Sequence, residues 1–191
     1  MSNEIEQTKQ WLETIIIGLN FCPFAKKEWL NNTIHYYVSK QNKTKIALSE
    51  VIDQCNYLQQ HDEIETSLLI FDQGFKRFEN FLDLLAYAEE LLVLSGFEGI
   101  FQIASFHPDY YFANEDFGSE DFEGEHIDDA ANYTNRSPYP TLHLIREESM
   151  TRVLNTYQDP EAIPDNNIAL AREKGAAFFE GVLKQIKAGT N

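Results

Sequence analysis

The chain has 191 residues, 43% of them hydrophobic and 13% aromatic, enough for one domain with a core of its own. A formal net charge of −16 disfavours nucleic acid and anionic membrane as partners, since both are bound mainly through Lys and Arg. No apolar run reaches the roughly eighteen residues of a membrane span, and the acidic start MSNEIEQTKQW lacks the basic-then-apolar pattern of an export signal, so a cytoplasmic protein is expected.

Ile5, Thr8, Leu12, Ile15, Ile16 and Leu19 share one helical stripe, which predicts an amphipathic helix over residues 4–18 ending near Gly18 and Asn20. Pro23 fits the first position of a short second helix and makes Cys22 its N-terminal neighbour. A thiol there faces the positive helix end beside Lys26 and Lys27, so its pKa should fall. The competing reading is a small buried hydrophobe.

Thr33–Ser39 is the first predicted strand. Leu48, Val51, Ile52, Cys55 and Leu58 mark a helix with Cys55 on its core stripe. Glu65–Phe71 is a second strand, Phe78 to Leu92 a long apolar helix stopping at Gly96, and Gly99–Ser105 a third strand. A long excursion then leads to a fourth strand, Thr141–Arg146, and two closing helices, about Glu147–Tyr157 and Asp165–Ile186. The alternation predicts an α/β sandwich of two or three layers, with a small mixed, partly parallel four-stranded sheet flanked by helices.

The excursion, residues 106–140, is far longer than an ordinary connection, and its aromatics argue for order over disorder, so it reads as a site-bearing loop of a single domain. In open sheets ligands bind beyond the carboxyl ends of the strands, which predicts that His107, Asn135, Arg136 and His143 gather around one concavity there. Cys22 is expected at the same edge. Between Phe78 and Ile145 there are fourteen acidic residues and one basic one, Arg136, so its guanidinium is either a structural clamp or a ligand group.

The candidate catalytic residues are Cys22, His107 and His143, a nucleophile with one of two proton carriers, oriented by Asp109 or Asp128. Arg136, Arg146, Asn135, Asn132 and Tyr110 are the candidate binding residues, suited to phosphate or carboxylate. Asp128, Asp129 and Glu147 are structural or acid–base candidates. His107, His126, His143 and the Asp128–Asp129 pair could serve a metal-dependent hydrolase, but their spacings match no closed zinc pattern. No motif names a cofactor. Two readings compete with an enzyme acting on a small anion. One is a non-catalytic metabolite-binding module; the other is a purely structural motif set, with Arg136 and Arg146 clamping Asp128, Asp129 and Glu147.

Three segments carry a resemblance: GLNFCPFA (residues 18–25), QIASFHPDYYF (102–112) and NRSPYPTLHLIRE (135–147). Together they resemble an uncharacterised family of bacteria and plants with GLNxCPFA, QxASFHPxYxF and NRSPxPxxHxxRE motifs. The likeness covers roughly residues 11–150, and it implies membership without an activity. CPFA is also similar to the Cys-Pro-Phe opening of glutaredoxin-like folds, but there the cysteine follows a strand.

Overall fold

The computed structural model describes residues 2–112, 126–155 and 159–189. Four strands form one open sheet: β1 (Ile34–Ser39), β2 (Thr66–Phe71), β3 (Phe101–Phe106) and β4 (Thr141–Arg146). Their order is β1-β2-β4-β3, with β1 parallel to β2 and β4 antiparallel to both β2 and β3. The excursion accordingly leaves and re-enters the sheet at one edge, the carboxyl edge of β1, β2 and β3.

Strand β2 is buried at every position because it is central and covered on both faces, the pattern expected of an apolar run such as LLIF. Pleating sends Leu69, Phe71, Leu142 and Leu144 to one face, where they pack with helices α3 (Thr44–Gln60) and α4 (Phe78–Leu94). Leu68 and Ile70 point to the other face. There they meet Trp11, Leu12, Ile15, Ala171 and Phe179, carried by α1 (Asn3–Trp11), the π-helical turn Leu12–Ile17, α6 (Ile163–Lys174) and α7 (Ala176–Ala188). The result is three layers around two apolar cores. Two further helices, α2 (Ala25–Asn31) and α5 (Glu147–Leu154), flank the amino edge of the sheet.

Two boundaries differ from the sequence reading. The helix expected over residues 4–18 changes pitch at Leu12, and its wider turn closes with the Gly18 amide donating to the Glu13 carbonyl at 3.0 Å. A methyl at Gly18 would strike the Thr14 carbonyl, so only glycine lets the chain leave the turn at this angle. The helix expected as one piece over Asp165–Ile186 is two, broken at Gly175, whose φ of 78° ends α6 and starts α7. No helix among the described residues is long and apolar enough to cross a membrane.

Candidate functional site

His107 leaves β3 at the carboxyl edge and turns into the α3/α4 core. Its side chain is fully buried between Phe78 and Phe81, with ring centroids 5.1 and 5.2 Å away. The Asp109 amide donates to Nδ1 at 3.0 Å, so Nε2 carries the proton and donates to the Phe75 carbonyl at 3.0 Å. Burial lowers its pKa and keeps it neutral. The Phe75 bond holds a residue whose φ is +57°, a left-handed conformation rare for an aromatic. Both ring nitrogens are therefore engaged with main chain.

Arg136 stands at the base of the excursion. Its Nε donates to the Tyr110 carbonyl at 2.9 Å and its Nη2 to the Ile127 carbonyl at 2.6 Å, while the guanidinium lies 4.6 Å from the Tyr133 ring. Asn132, fully buried, makes a parallel stitch. Its Oδ1 accepts from the Phe112 amide and its Nδ2 donates to the Ile127 carbonyl. Asn135 adds a third tie, since its carbonyl accepts from the His107 amide at 3.1 Å. These residues and Tyr110 thus sit together and join the two described ends of the loop. Most of the acidic run Glu115–Asp129 and the side chain of His126 lie outside the described residues.

The other candidates go elsewhere. Arg146 ends β4 at the amino edge, where its fork donates to the carbonyls of Leu58, His61 and Ile64 at the end of α3. It is separated from Arg136 by the length of a strand, so the expected pair of guanidiniums does not form. Neither arginine clamps the expected acids. Asp129 caps the 3₁₀ turn Ala130–Thr134 through the Ala131 amide and pairs bidentately with Arg172 of α6, the closest contact being 2.8 Å. Asp128 is exposed, and Glu147 opens α5 with its amide on the Ile100 carbonyl at 3.0 Å. Among the described residues no group of three or more His, Cys, Asp and Glu side chains is arranged to hold a metal ion.

His143 and Cys22 do come together, at a different place from the one expected. His143 pairs with Leu68 and Ala104 in mid-sheet, on the face opposite His107. Cys22 lies in the turn before α2, which starts at Ala25, two residues later than the proline suggested. Both line a cleft at the amino edge of the sheet, walled by Leu12, Leu68, Ile145 and Met150, with a cavity volume of about 70 Å³. The proposed gathering of His107, Asn135, Arg136 and His143 in one concavity is therefore replaced by two separate places. One is the stitched loop base at the carboxyl edge; the other is this cleft. The reason is pleating: residue 143 faces the helices opposite to those that enclose His107.

Inside the cleft, Thr66 Oγ1 donates to the Leu144 carbonyl at 2.6 Å and so accepts from His143 Nε2. Nδ1 then carries the lone pair and has no hydrogen-bond partner among the described residues. Burial pushes the imidazole pKa down to about 4, so the ring is neutral near pH 7. The Cys22 thiol goes the opposite way from the expected fall. Burial raises its pKa, outweighing the Phe24 and Ala25 amides that point at the sulfur and lower it. Glu65, Ser149 and Arg152 form a hydrogen-bonded chain on one rim, and Lys27 pairs with Glu28 at 3.4 Å on the other.

Sequence reading missed Thr66 and Arg172. A threonine opening an apolar strand is ordinary β chemistry, and only the β2–β4 register puts it against His143. Arg172 belongs to a helix whose packing on the 3₁₀ turn has no sequence signal. No curated protein matches the chain, and no solved structure does. Residues 3–181 match the model of the family described as Protein of unknown function (DUF1415), and the chain belongs to that family.

Proposed function

We propose that the protein binds a small molecule in the amino-edge cleft. The observation that carries this is the shared wall: Cys22 and His143, remote in sequence, line one apolar cleft in which the Nδ1 lone pair of His143 is unclaimed by any described residue. A largely apolar recess with one polar anchor is the usual make-up of a ligand site. The volume suits the short apolar end of a ligand, with a hydrogen-bond donor reaching Nδ1. A catalytic extension has Cys22 as nucleophile and His143 as the neutral acceptor of its proton. The raised thiol pKa means that Cys22 is protonated until a base removes the proton.

An anionic ligand has weaker support than the arginine count suggested. Arg136 and Arg146 donate to main-chain carbonyls, and the rim cations Lys27 and Arg152 are in contact with Glu28 and Ser149.

Alkylation of Cys22 by iodoacetamide, followed by mass spectrometry, tests the cleft. Cys22 is expected to label faster than Cys55, which is fully buried with its thiol pKa pushed up to about 12. Hexanol should slow labelling at Cys22, and Met150→Trp, which fills the cleft, should slow it without added alcohol. Equal rates with and without hexanol overturn the binding site. For the catalytic extension, His143→Gln should slow the Cys22 reaction near pH 7; an unchanged rate leaves binding alone.

A further inference from the structure

The cleft shares part of its wall with a neighbouring space. Glu28 and Ile34 also form part of the wall of a second, more open groove of about 460 Å³, which runs between α1, α2 and the edge strand β1. Its lining is of another kind. Two aromatic residues, Trp29 and Tyr36, line it together with three acidic ones, Glu6, Glu13 and Glu28, and Lys9 is the one cation of the lining. The π-helical turn contributes to both spaces: Leu12 lines the cleft, and Glu13, the next residue, lines the groove.

Two observations concern what such a groove accepts. The Lys9 ammonium already sits 5.2 Å from the centroid of the Tyr36 ring, so this ring face takes a cation. The Tyr36 hydroxyl is buried with no hydrogen-bond partner among the described residues, and an unpaired polar group of this kind in a native fold asks for an explanation. A movement of the ring that opened this oxygen to the groove would let a ligand N–H satisfy it. Aromatic faces combined with carboxylates are the chemistry that selects an organic ammonium over a neutral or anionic head.

We infer that cleft and groove form one bipartite site for an amphipathic organic ammonium, with its short apolar end in the Cys22–His143 cleft and its protonated nitrogen between Trp29 and Tyr36. This rests on the binding reading of the cleft given above and adds the class of ligand. It reverses the sign of the charge expected from the two arginines.

The experiment measures protection of Cys22 from iodoacetamide by three probes of equal chain length: hexylammonium, hexanol and hexanoate. Hexylammonium is expected to half-protect at a concentration about tenfold or more below hexanoate, and below hexanol. A protein of net charge −16 attracts any cation, so the comparison includes variants that separate site from field. Trp29→Leu leaves net charge unchanged and should abolish the preference for ammonium while leaving hexanol protection intact. Glu6→Gln with Glu13→Gln, both exposed, should reduce the preference several-fold. Glu89→Gln with Glu90→Gln, equally exposed on α4, should not. Hexanol protection without an ammonium advantage overturns this inference and leaves the cleft standing. An advantage that survives Trp29→Leu, or falls equally in both glutamate pairs, overturns it as a field effect. Protection by none of the probes overturns the cleft and the inference together.

Discussion

The hydroxyl of Thr66 has one proton, and it goes to the Leu144 carbonyl, so the imidazole of His143 has to donate from Nε2. That assignment leaves Nδ1 as the basic atom of the cleft, and burial makes it a weak base with a pKa of about 4. The same shift ties His143 to stability. An unfolded histidine titrates near pH 6.5, so between about 6.5 and 4 the unfolded chain binds a proton that the folded chain refuses. Stability is complete above pH 6.5 and is lost as pH falls toward 4, by up to about 3 kcal/mol for this residue. His107 is depressed as well and adds a loss of the same sign. Urea denaturation from pH 7.5 to 4 should show a flatter profile in His143→Gln than in the parent, with the His107 part remaining. Parallel profiles would mean that His143 is protonated without penalty.

At the scale of elements, Arg146 links β4 to α3. Helix ends leave carbonyls short of partners, and the guanidinium fork donates to Leu58, His61 and Ile64, adding to the His61 and Ile64 amides that already reach the first two. Nothing in the helix sequence offers this, since α3 has no basic residue in its last turn. Arg146→Ala should cost about 2–3 kcal/mol in chemical denaturation, because buried acceptors lose a charged donor. Arg146→Lys should recover less than half of that, since a single ammonium cannot span three carbonyls. Full recovery in Lys would show that charge alone is needed. Arg136 does the analogous work between loop ends, and Trp11 holds its main chain by donating from Nε1 to the Arg136 carbonyl at 3.0 Å.

For the molecule as a whole, a net charge of −16 sets carboxylates against one another, and the ion pairs among the described residues are few and exposed on at least one side. Exposed pairs contribute little, so screening should relieve more repulsion than it removes attraction. Raising NaCl from about 0.02 to 0.5 M should therefore raise the thermal midpoint by a few degrees. A lower midpoint in salt would assign more stability to the ion pairs than their exposure allows.

Much of this architecture is local and so legible in the chain. Apolar periodicity marks α3, α4 and the four strands, since a strand alternates every second residue and a helix every three or four. β4 begins and ends where TLHLIR does. The resemblance to an uncharacterised family agrees with the family match over residues 3–181. Register and facing are not local. Whether His143 joins His107 or Cys22 depends on which side of one sheet each side chain points, and a single-residue change of register would reverse it. The partners of Arg136 and Arg146 are main-chain carbonyls, which every residue carries and no sequence pattern advertises. Cys22 could be placed near a helix start by its proline, but its depth, and with it the direction of its pKa, comes from the π turn, β2 and α5 closing around it. The sequence by itself determined the elements and the residues able to do chemistry. Only the tertiary structure decided which of them meet, because the sheet that orders them separates its two faces.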